Sequence, residues 1–177
     1  MGAFFAKLFG FFKKHQSRVV IIGLDGAGKT TMLYKMKLGV VVQALPTLGF
    51  NYEVVKVGQS ELAMWDLGGQ THIRTYWRLY YQNTNGVVFV VDAADHDKLA
   101  IARTELHGVL QEAELKGVPL LVFANKMDLE NALPVTELSQ QLQLHLIRDR
   151  PWSIQPCSVV EGSGVEEGWQ WLISQLK

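Results

Sequence analysis

Gly23-Leu-Asp-Gly-Ala-Gly-Lys-Thr30 decides the fold because of what stands on either side of it. Before it, Arg18-Val-Val-Ile-Ile22 is a short apolar run that reads as a buried strand. After it, Lys29 to Leu38 has helical spacing. A G-x-x-x-x-G-K-[ST] loop between a strand and a helix is a phosphate cradle. Its glycines, Gly23, Gly26 and Gly28, let main-chain N–H groups curl around phosphate oxygens, and the helix N-terminus adds partial positive charge. Lys29 is placed to reach the β- and γ-phosphates, and the Thr30 hydroxyl to ligate Mg²⁺.

Three further patterns follow in order along the chain. Pro46-Thr47 lies in a loop from which a hydroxyl can swing onto the same metal. Trp65-Asp-Leu-Gly-Gly-Gln70 ends a strand. Asp66 is expected to hold Mg²⁺ through water, Gly69 to offer a backbone N–H to a γ-phosphate, and Gln70 to orient the attacking water. Asn125-Lys-Met-Asp128 follows another strand end. A carboxylate at Asp128 accepts hydrogen bonds from the guanine N1–H and 2-amino group. Adenine offers neither donor there, and a buried charge left unmet is costly, so guanine is favoured. The Lys126 stem can lie along the base, and Asn125 can tie neighbouring loops together.

Strand-like and helix-like segments alternate from Ser17 onward. Asn51–Val57 and Glu61–Trp65 flank Gly58-Gln59 as a β-hairpin. Gly86–Val91 is a near-continuous β-branched run, as expected of a strand covered on both faces. Residues 95–116 read as a helix, ended by Gly117 with Pro119 beyond it. Leu120–Ala124 is a strand, 134–144 a helix, Trp152–Cys157 a last strand and 165–176 a last helix. The expected fold is α/β, of the P-loop NTPase type. It has a mostly parallel six-stranded sheet, one antiparallel edge strand and helices on both faces.

At 177 residues, 48% of them hydrophobic, the chain suits one domain with a full core. Seventeen basic and 17 acidic residues leave no net charge, which argues against a broad nucleic-acid footprint. A single cysteine, Cys157, allows no internal disulfide. It reads as a small residue at a strand end rather than a reactive thiol. The five histidines show no metal-ligand spacing. No apolar run reaches the roughly 20 residues needed to cross a bilayer, and the N-terminus lacks a secretory signal pattern.

These motifs together resemble the Arf family of small GTPases over essentially the whole chain. The resemblance rests on Gly23–Thr31, Pro46-Thr-Leu-Gly-Phe-Asn51, Trp65–Gln70, Trp77–Thr84 and Phe123–Asp128. The Phe-rich N-terminus and Tyr80-Tyr81 are most similar to the Arf-like protein one subgroup. The resemblance implies a switch between GTP and GDP that uses Mg²⁺. It adds Asp25, Ala27, Thr31, Cys157 and Ser158 to the nucleotide-binding residues. Ser158 would offer its backbone to guanine O6, although relatives carry Cys-Ala-Thr where this chain has Cys157-Ser158-Val159. It implies an exposed effector surface of Phe50, Trp65 and Tyr80, where the bland alternative is core packing. It implies an exchange factor, an activating protein and effectors such as GRIP-domain golgins, and a monomer cycling between cytoplasm and the cytosolic face of Golgi membranes.

Phe4, Phe5, Leu8, Phe9, Phe11 and Phe12 fall within an arc of about 160° at roughly 100° per residue, with Lys13 and Lys14 outside it. Residues 1–16 therefore read as an interfacial membrane helix preceding a GTPase domain over 17–177. Met1-Gly2 permits myristoylation at Gly2, although Ala6 stands where Ser or Thr is usual. Such a helix would be stowed with GDP and released with GTP. No arginine lies between Leu38 and Thr47, so hydrolysis unaided by a partner is expected on the order of 10⁻⁴ s⁻¹ or below. Three alternatives remain open: a recruitment module with negligible hydrolysis, a member of another Arf or Arf-like subgroup, and a P-loop kinase or ATPase, against which the Asn125–Asp128 motif argues.

Overall fold

The structure is a computed structural model that describes residues 16–176. The expected N-terminal helix, apart from Gln16, and Gly2 with it, lie outside the described residues. Six strands form one sheet: β1 (Gln16–Ile22), β2 (Phe50–Val57), β3 (Ser60–Leu67), β4 (Gly86–Asp92), β5 (Leu120–Asn125) and β6 (Trp152–Pro156). Their order across the sheet is β2-β3-β1-β4-β5-β6. Only β2 runs antiparallel to its neighbour, with Phe50 opposite Leu67 and Val57 opposite Ser60. The central β1 pairs in parallel with β3 on one side and β4 on the other.

The apolar runs explain why both faces are covered. In β4, six residues from Gly86 to Val91 are buried in succession, so alternate side chains feed two cores. Val87, Phe89 and Val91 join one core with α3 (Leu99–Leu110) and α4 (Val135–Gln141). Val88 and Val90 join the other with α1 (Lys29–Leu38) and α5 (Val165–Gln175), where Met32, Leu33, Trp169 and Leu172 are fully buried. A short α2 (Thr71–Arg74) and a 3₁₀ turn at Trp77–Tyr80 follow β3.

Two expected helices are shorter. The one expected over 95–116 is a 3₁₀ turn at His96–Lys98, then α3, then a second 3₁₀ turn at Ala113–Leu115. Glu112 between the last two is extended, with ψ 132°. The cause is remote: Arg150 takes the carbonyls of Leu110 and Leu115 at 2.9 and 2.8 Å. The segment expected over 134–144 ends at Gln141, because Gln143 adopts a left-handed φ of 55° before a 3₁₀ turn at Leu144–Leu146.

Candidate functional site

The carboxyl ends of the parallel strands carry the candidate residues, as is general for open α/β sheets. Gly23–Gly28 links β1 to α1, and no side chain caps the helix at Gly28, the kind of N-terminus that suits an anion. Lys29 is buried, and its ammonium donates to the Leu24 carbonyl at 2.9 Å. Burial pulls the ammonium down to about 8, partly offset by Asp66 and Asp25. Asp25 is exposed and lies 3.6 Å from Lys98. Thr30, Thr31, Thr47, Gly69 and Gln70 line one open cleft of about 370 Å³ with Lys29.

At the floor of this cleft the expected metal-binding residues meet. Thr30 Oγ1 donates to Asp66 Oδ2 at 2.6 Å and lies 2.9 Å from Thr47 Oγ1. Asn51, absent from the expected set, donates to the same Asp66 oxygen at 2.9 Å. Asp66 Oδ1 is buried without a partner among the described residues. Burial raises the Asp66 carboxyl above its usual range despite hydrogen bonds from Thr30 and Asn51. An all-oxygen donor set with one orphaned carboxylate oxygen fits a hard divalent cation.

The base side is assembled by Asn125. Its amide donates to the Ala27 carbonyl at 2.8 Å, and its Oδ1 accepts the Val159 N–H at 3.1 Å and the Cys157 thiol at 3.6 Å. One side chain thus joins the phosphate loop, its own loop and the 157–159 turn. Lys126 takes a left-handed φ of 67°, and its ammonium lies 2.5 Å from Asp92 Oδ2. Asp92 was not foreseen, since it carries no motif of its own. Asp128 is exposed at the mouth. Cys157 is buried and its thiol is pushed up to about 12, in keeping with a packing role. The Ser158 N–H, expected to face guanine O6, donates instead to the Ser163 carbonyl at 3.0 Å. The bridge between Ser158 and Ser163 closes the turn and uses that donor internally.

Beside the cleft, Phe50, Trp65 and Tyr80 stack with ring centroids 5.1, 5.3 and 5.7 Å apart. Phe50 is 47% exposed, whereas Trp65 and Tyr80 are half-buried against the core. The Arg18 guanidinium lies 4.4 Å over the Trp65 ring and donates to the Tyr80 carbonyl at 2.9 Å.

Comparison with known proteins finds relatives along the whole chain. The chain is 46% identical over 178 residues to ADP-ribosylation factor 1 of Brassica rapa subsp. pekinensis, covering 100% of this chain and 98% of that protein. It has the same identity and coverage with ADP-ribosylation factor 3 of Arabidopsis thaliana. The solved structure of the Arl6 BBS3 small GTPase from Trypanosoma brucei, with bound nucleotide analogue GppNp, superimposes with a TM-score of 0.81 at 36% identity. That match covers 90% of this chain and 96% of the other. The model described as Arf, ADP-ribosylation factor family, matches residues 1–176. The chain therefore belongs to the ADP-ribosylation factor family of small GTPases, guanine nucleotide switches whose reaction is the hydrolysis of GTP.

Proposed function

We propose that this GTPase switch controls attachment to a membrane and recruits effectors in Golgi and vesicle traffic. The observation that carries the nucleotide half is the meeting of Thr30, Thr47 and Asp66 at one point of the cleft. Thr47 belongs to the 39–49 connection, so its presence there means that this loop is closed over the phosphate end. Thr30, Thr47 and, through water, Asp66 would hold Mg²⁺. The ion would neutralise charge on the phosphates. Lys29 and the loop amides bind the phosphate oxygens, Gly69 meets the terminal phosphate, and Gln70 orients the water. Asn125, Lys126 and Asp128 take the base, with Gly23–Thr31, Cys157 and Ser158 shaping the pocket.

The output half rests on the aromatic cluster and on the sequence of residues 1–16. Phe50 stands exposed opposite Leu67, at the end of β3 that carries Asp66. An apolar face beside the metal-binding floor suits effectors that must sense the nucleotide. Six large apolar side chains on one side of the first 12 residues suit the acyl boundary of a bilayer, and acylation at Gly2 would add a second anchor. The chain is proposed to act as a monomer of the Arf-like protein one type, on the cytosolic face of Golgi membranes. Golgins with a GRIP domain are candidate effectors.

Flotation of the full chain with anionic liposomes, loaded with GDP or with GppNp, tests the coupling. Linkage requires that GppNp favour membranes by the factor that membranes favour GppNp. Equal flotation with both nucleotides, together with equal exchange rates with and without liposomes, would refute it.

A further inference from the structure

Arg74 is a largely covered cation beside the phosphate cleft to which hydrolysis assigns no part. Its side chain is 9% exposed. Nε donates to the Gly69 carbonyl at 2.8 Å, and Nη1 to Glu105 Oε1 at 2.9 Å. Nη2 donates to Thr71 Oγ1 at 3.3 Å and lies 3.9 Å from Asp25 Oδ1. Each nitrogen of the fork is engaged, so this arginine is not free to reach a phosphate. What it holds is the peptide joining Gly69 to Gln70. That unit is planar, so anchoring its oxygen also orients the Gln70 N–H at its other end. Gln70 is gripped again from behind, its carbonyl accepting the N–H groups of Ile73 and Arg74 at 2.9 and 3.1 Å.

Glu105 gives this grip a fixed point. It lies on α3, between Ala102 and Leu106, both buried in the core. Gly69 itself is wedged against the phosphate loop: a Cβ there would come within 2.5 Å of Asp25 N and Gly23 O. A partly dry guanidinium that donates to the Gly69 carbonyl and to Glu105 from two fixed nitrogens is directional, and lysine does not reproduce it. The Arg74 charge is also felt by Lys29, whose ammonium it disfavours.

We propose that Arg74, braced by Glu105, is a positioning residue that holds Gly69 and Gln70 against the phosphate loop and so sets the preference for GTP over GDP. The inference rests on Gly69 and Gln70 meeting the terminal phosphate, as proposed above. GDP lacks that group, so loosening the grip weakens only the triphosphate complex. The test measures release of fluorescent GDP and fluorescent GppNp from the full chain with Mg²⁺, for wild type, Glu105→Gln, Arg74→Lys and the exchange Arg74→Glu with Glu105→Arg. Glu105→Gln and Arg74→Lys are expected to release GppNp about tenfold faster, with GDP release unchanged, because a charge-assisted bond is lost. The exchange is expected to release GppNp at least as fast as the single variants, because a carboxylate at position 74 cannot donate to the Gly69 carbonyl even if the ion pair re-forms. Equal acceleration for both nucleotides would mean general loosening and would overturn the proposal, as would no change for either. A wild-type protein that holds neither nucleotide would overturn the proposed function along with it, whereas normal wild-type retention with indifferent variants sinks this inference alone.

Discussion

Lys29 carries a cost that its ligand removes. Burial depresses its ammonium to about 8 from an ordinary 10.5. The folded, empty protein therefore binds fewer protons than the unfolded chain between these values. Its stability should rise with pH across that window, by up to about 3 kcal/mol from this group alone. Below pH 8 the penalty is present in full. Bound phosphates supply the missing counter-charge, so the rise should vanish in the GDP complex; urea midpoints at pH 7.5 and 10 for both forms check this. Gly69→Ala should push the 68–70 turn off the phosphate loop, since its Cβ would meet backbone at 2.5 Å. A displacement of that size is expected to slow single-turnover hydrolysis about a hundredfold. Gln70→Leu, which removes the group orienting the water, should slow it by about the same factor and prolong the GTP state. Residues that work through contiguous main chain, such as Gly28, Lys29 and Thr30, were legible because spacing alone expresses their role. Arg74, Asp92 and Asn51 were not, because each acts on a partner brought near only by folding: Arg74 on Glu105, 31 residues away, and Asp92 on Lys126.

At the scale of elements, the ends of helices were the least legible part. Arg150 shows why. It is 7% exposed and reaches back 40 and 35 residues to the carbonyls of Leu110 and Leu115. No local pattern in residues 95–116 announces that a distant guanidinium will take those acceptors and stop α3. Arg150→Ala should leave both carbonyls unmet and lower stability by about 2–4 kcal/mol. Arg150→Lys should recover only part, because an ammonium cannot fork between them. Denaturant midpoints of the GDP-bound proteins give the values. The hairpin behaved differently. Gly58, with φ 59°, sits where the sequence placed the turn, and the strands extend the expected spans only by Phe50, Ser60, Asp66 and Leu67. The 157–164 turn departed from expectation because its internal bridge between Ser158 and Ser163 depends on where Ser163 returns, which Gly162 and Gly164 allow.

At the scale of the molecule, the sheet was legible as six strands with one antiparallel edge, because long apolar runs need cover on both faces and a hairpin can add only at a neighbour's side. A ligand that binds only the folded state stabilises it by mass action. At about a thousand times its dissociation constant, GDP with Mg²⁺ should add about 4 kcal/mol, or roughly 8–16 °C in melting temperature for a chain of this size. Chelating the metal should shrink the shift. Thermal scans with GDP, GppNp and ATP then rank the nucleotides; ATP should leave the curve where it was.

The strand order has one more outcome, which concerns synthesis. The phosphate loop is translated early, yet Asn125 locks it to a turn that ends only at Val159. The central strand, β1, waits for β3 and β4 before it has both neighbours. A ribosome-bound chain thus carries a phosphate grip long before it can close around a base. Full closure of the nucleotide site requires the chain through Val159, and a product that stops before β6 would lack the turn that Asn125 ties to the phosphate loop.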